Sequence, residues 1–369
     1  MQALHPVQSS TADHQRVDYR EVRDFLDRHG GSTLSHLVLL QDKEIYWSSN
    51  KKALISFKKM GSHYFVLGDP IGDPDSLQGA VQEFKAYCAR RGGKAVFYQV
   101  SPLYKRLYEE EGYRFFKLGE EAILDLESFD LAGKKGSKLR TRKSKFERSG
   151  FRFEVMLPPF SGSFLAKLEE VSASWLGKRQ EKNYSVGFFT RDYVDAHPVA
   201  ALYAPDGSMV AFATIGGGGS AKDRTVVIDL MRHTAASPHG TMDMLFLSIF
   251  FWAKEQGYAK CSLGMAPLAG VGILPNSTSG ERVAKHMYEY GNAFYKFKGL
   301  REFKSKFHPE WVPKYLAYQG GMLPLLMLQL ICLINFQRKL NPSLVFSLLY
   351  GKAKTSELQG QPKREQWEV

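Results

Sequence analysis

Cysteine is scarce in this chain, which has Cys88, Cys261 and Cys332 in 369 residues. Odd in number and far apart, they offer neither a disulfide framework nor a CxxC metal knuckle, so a reducing compartment is expected. Other signatures are missing as well. There is no G-x-S-x-G elbow, no H-E-x-x-H pair, no Walker loop and no strand-borne G-x-G-x-x-G, which removes the commonest hydrolytic, zinc-peptidase, P-loop and dinucleotide readings. His233 and His239 lack a third partner at ligand spacing, so no metal is expected. Met1 is followed by a polar, mixed-charge segment, Gln8 to Arg23, without the apolar stretch of a secretory signal, and the cytosolic side is expected.

Acidic residues are in deficit. Fifty Lys plus Arg against 38 Asp plus Glu leave a formal charge of +12, which favours a polyanionic partner: RNA, DNA or an anionic membrane surface. What is abundant is apolar and aromatic. Hydrophobic residues at 44% and aromatic residues at 13% supply packed cores and argue against disorder. A length of 369 residues exceeds one hydrophobic core, so two domains are expected.

The order of elements is legible in outline. An amphipathic helix over 17–29 stops at Gly30-Gly31; short β-prone runs follow at Leu37 to Leu40, Ile45 to Trp47, Ala53 to Phe57 and Tyr64 to Leu67, and read as an antiparallel meander. Gly68 to Pro74 is a turn cluster. A helix over 76–90, a strand over 95–100, a helix over 103–110 and a strand over 121–126 complete a mixed α/β unit. Arg90-Arg91-Gly92-Gly93-Lys94-Ala95 fits the R-x-x-G-x-A pyrophosphate loop of acetyl-CoA enzymes, but it leaves a helix and enters a strand, so it reads as a turn. The second half repeats the order: a helix over 164–175, a loop over 178–184, strands over 200–203 and 209–215 around the hairpin turn Pro205-Asp206-Gly207, a turn over 216–220, a strand over 225–231, a helix over 242–255 and a strand over 260–263.

Between the halves lies the densest charge run. From Gly133 to Gly150, eight Lys and Arg face one acid, Glu147. Ser137 reads as the N-cap and Gly150 as the stop of a helix whose Lys135, Lys138, Arg142 and Lys145 share one stripe, with Leu139 and Phe146 as a sparse apolar anchor. Like charges at i,i+4 weaken such a helix, so local stability does not explain it. A phosphate-contacting helix does, with a solvated linker as the plainer alternative. Tyr288 to Trp311 interleaves aromatic and basic residues, suited either to base stacking or to a core helix with a snorkelling charged side. Gly320 to Gln337 carries no charge and reads as a buried or interface-lying helix, Leu344 to Tyr350 as a second such piece, and 351–369 as a polar tail.

Chemistry concentrates at Asp229-Leu230-Met231-Arg232-His233 and the following Pro238-His239-Gly240-Thr241-Met242-Asp243. This reads as a strand bearing opposite charges, then a turn, then a helix N-terminus, where backbone N–H groups can hold an anion. An Asp and an Arg at a strand end suit group transfer by positioning and electrostatics.

Several motifs in order then carry a family resemblance. Lys43-Glu44-Ile45-Tyr46-Trp47-Ser48, Leu67 to Gly72, Gly119-Glu120-Glu121-Ala122, the basic 136–150 helix, Asp229 to Arg232, Phe297 to Arg301, Phe303 to Phe307 and Pro309-Glu310-Trp311 closely resemble the cytosolic catalytic part of phosphatidylglycerol lysyltransferases, the multiple peptide resistance factors of bacteria, over nearly the whole chain to about Tyr318. The resemblance implies an α/β (α+β) chain of two tandem acetyltransferase-like (GNAT) folds, over 1–132 and 151–318, joined by a positively charged helix over 133–150, with an apolar helical tail over 319–350. It implies transfer of an aminoacyl group, lysyl or alanyl, from charged tRNA to a glycerol hydroxyl of phosphatidylglycerol, at the cytoplasmic face of the membrane, lowering the attraction of cationic antimicrobial peptides.

The acyl donor is an activated ester, so no cofactor is expected. The multi-span flippase region that family members carry ahead of this part is absent from this sequence, and lipid flipping is not expected of it. Under the same resemblance, Asp229 orients the aminoacyl amine or the attacking hydroxyl and Arg232 a phosphate or ester oxygen. Lys304 and Lys306 anchor phosphate with Arg301 assisting, Gly240 lies at the substrate, Glu181 reads a substrate ammonium, and Lys135, Lys138, Arg142 and Lys145 meet tRNA. Two rivals stay open: a Fem-like aminoacyltransferase acting on a peptidoglycan precursor, and a non-enzymatic RNA-binding or membrane-surface protein.

Overall fold

The computed structural model describes residues 17–217, 224–272, 295–320 and 322–335. The first half opens with α1 (Tyr19–His29) and a short 3-10 helix (Ser35–Leu40), then β1 (Glu44–Trp47), β2 (Ala53–Met60), β3 (His63–Leu67) and β4 (Ile71–Gly72). It continues with α2 (Leu77–Arg90), β5 (Lys94–Val100), α3 (Lys105–Glu110) and β6 (Arg114–Asp125), and α4 (Ser137–Arg148) links it to the second half. There follow β7 (Arg152–Met156), α5 (Gly162–Leu176), α6 (Arg191–Val194), β8 (Val199–Tyr203), β9 (Met209–Gly217) and β10 (Thr225–His233). The described part closes with α7 (Thr241–Glu255), β11 (Lys260–Pro267), α8 (Tyr295–Ser305), β12 (Glu310–Tyr318) and α9 (Leu323–Asn335).

Each half is a meander followed by one parallel crossover. β3 and β5 are parallel neighbours bridged by α2, and β10 and β11 are parallel neighbours bridged by α7, while the other pairings are antiparallel. This repeated order is the acetyltransferase-like arrangement expected from the sequence, with the basic helix α4 between the two copies. The halves then trade their last strands. The sheet runs β1-β2-β3-β5-β12-β6-β11-β10-β9-β8-β7, so β12 of the second half fills the place between β5 and β6, and β6 of the first half pairs with β11. One continuous sheet results.

Burial follows from this layering. Val66, Phe84, Phe97 and Tyr108 pack under α2; Phe246, Phe250, Phe303 and Phe307 pack under α7 and α8. A third cluster joins the halves, bringing Leu37 and Leu40 of the 3-10 segment against Leu168, Tyr193, Leu230, Leu326 and Leu330. Because α7 is covered on all sides, ten of its residues are buried and its apolar character runs round the helix rather than along one stripe.

Several sequence expectations are corrected. Leu37 to Leu40 is a 3-10 helix, not a strand: a short run buried all round carries no periodicity to tell the two apart. Ser137 is the first residue inside α4, not its cap. The cap is Gly136, where a Cβ would lie 2.1 Å from the Leu131 carbonyl oxygen. Gly150, at φ 79°, does end that helix region, and Leu139 and Phe146 are its buried anchor. The strand expected at 121–126 starts at Arg114, and β12 extends through residues not read as a strand. Arg90 to Ala95 is the turn it was read as. Among the expected segments, 8–16, 218–220, 288–294, 321, 336–350 and 351–369 lie outside the described residues, as do the side chains of 295–297.

Candidate functional site

The two parallel crossovers differ in one respect that creates a site. β3 and β5 stay paired over five positions to Leu67↔Tyr98, whereas β10 and β11 pair only from Thr225↔Lys260 to Val227↔Ser262. Beyond that point each strand follows its outer neighbour through a register shift, β10 with β9 between Ile228 and Met231, and β11 with β6 between Ser262 and Met265. The strands therefore splay. A register shift of this kind inserts a residue and re-aims side chains. Ile228 and Met231 both face the core under α7, so Arg232 is turned to the sheet face that carries Asp229, although strict alternation would separate them.

Asp229 sits in a nest of polar groups. Tyr193, fully buried, donates its hydroxyl to Asp229 Oδ2 at 2.5 Å, and His36 Nε2 lies 3.6 Å from the same oxygen. The loop over 185–189 closes in so tightly that a Cβ at Gly187 would stand 2.1 Å from Oδ2. Burial pushes the carboxyl up, but the neighbouring His36 imidazole and the Tyr193 hydroxyl outweigh it and hold Asp229 below the usual carboxylate range. It is an anion at neutral pH. His197, its ring tilted against Tyr193 and bonded through Nδ1 to the Tyr193 carbonyl, is pushed down to about 4 by burial and by its neighbour His36, and is neutral.

Arg232 is almost fully buried. One guanidinium nitrogen donates to Glu181 Oε2 at 2.8 Å, another to the Met231 carbonyl, and the group lies 4.0 Å over the Trp175 ring. Glu181, expected to read a substrate ammonium, thus has one oxygen on Arg232 while the other faces the Phe189 N–H at 3.5 Å. Its charge is already balanced within the site.

Lys304 lies at the irregular part of β11, where its Nζ donates to the Gly264 and Met265 carbonyls at 3.1 Å each. Burial lowers its ammonium to about 7, opposed by Glu121, so this lysine is inside the fold and not on a surface. Glu121 is itself buried; Thr33 and Ser262 donate to its Oε1 and Lys314 pairs with its Oε2. Arg301 pairs with Glu120 Oε2 at 3.0 Å and lies over Trp311.

The remaining expected residues gather at the start of α7. Gly240 is its N-cap at φ 94°, and a Cβ there would stand 2.5 Å from Arg142 Cδ. Arg142 Nη1 pairs with the buried Asp243 Oδ2, and Lys306 lies 3.6 Å from Asp243 Oδ1. This helix end is therefore covered by a cation from α4. Lys135, Lys138 and Lys145 stay exposed, and no acidic partner meets them among the described residues. A cavity of about 380 Å³ lies beside them, lined by Lys135, Leu139, Lys306 and His308 among others.

Sequence reading singled out Asp229 and Arg232 but not His36, Tyr193 or Gly187. No local pattern marks these three. They meet Asp229 only because the 3-10 segment, α6 and the 185–189 loop converge on β10 from distant parts of the chain.

The family described as phosphatidylglycerol lysyltransferase, C-terminal, matches residues 23–318. The phosphatidylglycerol lysyltransferase of Bacillus subtilis (strain 168) is 42% identical over 305 residues, 83% of this chain and 35% of that protein. Its namesake in Staphylococcus haemolyticus (strain JCSC1435) is 37% identical over 309 residues, 84% of this chain and 36% of that protein. The chain thus spans about a third of the length of these curated relatives. Among solved structures, L-PGS from Bacillus licheniformis is 41% identical with a TM-score of 0.77, over 87% of this chain and 98% of that one. The C-terminal domain of a putative lysylphosphatidylglycerol synthetase from Agrobacterium fabrum is 36% identical with a TM-score of 0.75, over 86% and 98%. FemX, at 12% identity and a TM-score of 0.50 over 86% and 98%, shares the fold alone.

Proposed function

The chain belongs to the phosphatidylglycerol lysyltransferase C-terminal family, and from that premise we propose that it moves an aminoacyl group, lysyl first, from charged tRNA to a glycerol hydroxyl of phosphatidylglycerol. The observation that carries the reading is the anionic, half-buried Asp229 at the point where β10 and β11 part, with Arg232 turned to the same face. In the step itself the lipid hydroxyl oxygen attacks the ester carbonyl carbon, the bond to the tRNA ribose oxygen breaks, and the hydroxyl proton ends on that ribose oxygen. The ester is already activated, so positioning and charge supply the catalysis.

Asp229 accepts a hydrogen bond from the attacking hydroxyl or the aminoacyl ammonium. Arg232, oriented by Glu181 and Trp175, faces the ester or a phosphate oxygen. Lys304, inside the fold, supports the splayed strand through the Gly264 and Met265 carbonyls. Exposed Lys135, Lys138 and Lys145 on and just before α4 take tRNA phosphates, with Arg142 fixing the helix to the second half; Lys306 shares Asp243 with Arg142, and Arg301, paired with Glu120, assists in holding phosphate. We take 1–132 and 151–318 as the two acetyltransferase-like units around this linker.

No helix among the described residues is long and apolar enough to cross a membrane. α9 and the preceding Met322 nevertheless expose an apolar surface, with Leu325 and Ile331 beside the buried Leu326 and Leu330, that fits contact with an anionic bilayer at its cytoplasmic face. The product lipid carries less negative charge, and resistance to cationic antimicrobial peptides follows.

Transfer of radiolabelled amino acid from tRNA into chloroform-extractable lipid, with phosphatidylglycerol vesicles as acceptor, tests the proposal. Label from lysyl-tRNA is expected. Label from alanyl-tRNA alone would reassign the amino acid, and no label from either, with tRNA still bound, would move the acceptor to a peptidoglycan precursor.

A further inference from the structure

His36 is the least expected member of the site. It comes from the 3-10 segment of the first half, which packs against β9 and α6 of the second. The ring is 7% exposed and pressed onto the backbone of Gly216, where a Cβ would lie 2.6 Å from its Cγ. The His197 ring stands edge-on at 6.0 Å on another side. Neither ring nitrogen has a hydrogen-bond partner among the described residues. A buried imidazole left in this state costs stability, so ordinary core packing does not account for its polarity.

What the imidazole does face is Asp229 Oδ2, at 3.6 Å, the oxygen that also accepts the Tyr193 hydroxyl. Both fixed groups thus act on one carboxylate oxygen. Asp229 Oδ1 has no hydrogen-bond partner among the described residues, and the side chain keeps 14% exposure. Gly187 leaves room for this carboxylate, since a Cβ there would stand 2.1 Å from Oδ2 and 2.9 Å from Oδ1.

We propose that His36 is a positioning residue, which together with Tyr193 pins Asp229 Oδ2 and leaves Oδ1 free for the substrate, so that the catalytic site of the second half is completed by the first. The proposal rests on the aminoacyl-transfer reading given above. The titratable groups facing the imidazole are Asp229, Tyr193 and His197, with Lys43 beyond Asp229 and Arg23 beyond His197.

His36→Phe keeps the ring volume and removes both nitrogens; Gly216→Ala keeps the imidazole and displaces it. His36→Gln retains a polar nitrogen. Single-turnover lysyl transfer, tRNA affinity and thermal unfolding are measured on all three, and the Asp229 carboxyl is titrated by carbon NMR, assigned by difference against Asp229→Asn. Expected is a fall of at least tenfold in the transfer rate for His36→Phe and Gly216→Ala, with tRNA affinity within twofold of wild type and partial recovery in His36→Gln. The Asp229 titration is expected to move upward in His36→Phe. Transfer within twofold of wild type in every variant that folds, or an Asp229 titration that does not move, overturns the proposal. The carboxyl titration needs no turnover, so a wild-type protein that transfers nothing to lipid would sink the reaction while this readout still decides the role of His36.

Discussion

Gly187→Ala removes no charge and no hydrogen bond, and is nevertheless expected to disable the protein. The glycine does not sit at a left-handed φ, so the backbone accepts alanine and only space is at issue. A Cβ there would stand 2.1 Å from Asp229 Oδ2, 2.7 Å from Cγ and 2.9 Å from Oδ1, closer than real Cβ contacts approach. Either the loop or the carboxylate has to retreat by roughly 1 Å, and misplacement on that scale costs about 10²-fold in rate. In barrier terms that is about 2.7 kcal/mol. Asp229 cannot yield without losing the 2.5 Å bond from Tyr193. The assay is single-turnover transfer of lysine from tRNA into phosphatidylglycerol vesicles, with tRNA binding and thermal unfolding measured alongside. Gly79→Ala in α2 is the matched control, since its Cβ meets nothing within 4 Å. It is expected to leave the rate unchanged and to stabilise the fold by about 0.5–1 kcal/mol. A Gly187→Ala protein within threefold of the wild-type rate would refute the placement of Asp229 at the reacting centre.

Other perturbations separate the parts of the account. Replacing Lys135, Lys138 and Lys145 together by alanine is expected to weaken tRNA binding and to flatten the slope of log Kd against log salt by about 2, while lipid binding by vesicle flotation is unchanged. Asp243→Asn leaves Arg142 and Lys306 without their shared carboxylate; because both cations are partly exposed, denaturant titration is expected to show a loss of about 1–3 kcal/mol. Lys304 sets a pH dependence. Its folded ammonium is lowered to about 7 from an ordinary 10.5, so across that window the unfolded chain binds the extra proton and stability rises with pH. The cost is fully present below pH 7. Wild type should therefore gain stability relative to Lys304→Met as pH climbs from 7 toward 10, and a flat difference would contradict the burial of a titrating lysine.

Periodicity and composition made the scaffold legible where one face of an element meets solvent. α1 shows Val22, Phe25 and Leu26 buried beside an exposed charged face, and α4 shows Leu139 and Phe146 beneath its lysines. They failed where a buried run is too short to show a period, as in the 3-10 segment at Leu37 to Leu40. They also failed where pairing is remote: β12 owes its strand character to neighbours β5 and β6, some two hundred residues earlier, a placement no local pattern records. The site divides in the same way. Asp229 and Arg232 stood out as opposite charges on an apolar strand, but their common orientation depends on a register shift against β9. Glu181 was expected at a substrate ammonium and in the fold pairs with Arg232, while Gly240 was expected at the substrate and lies close against the Arg142 side chain. Net charge pointed to a polyanion and left unresolved which cations remain exposed to meet one.

The anionic Asp229, at the parting of β10 and β11, is the group proposed to direct transfer of the aminoacyl group. Asp229→Asn keeps the side-chain volume and removes the charge, so its single-turnover rate of lysyl transfer from tRNA to phosphatidylglycerol is the most direct measurement. A fall of at least a hundredfold is expected, with tRNA affinity and thermal stability close to wild type. Transfer by Asp229→Asn at the wild-type rate would contradict it.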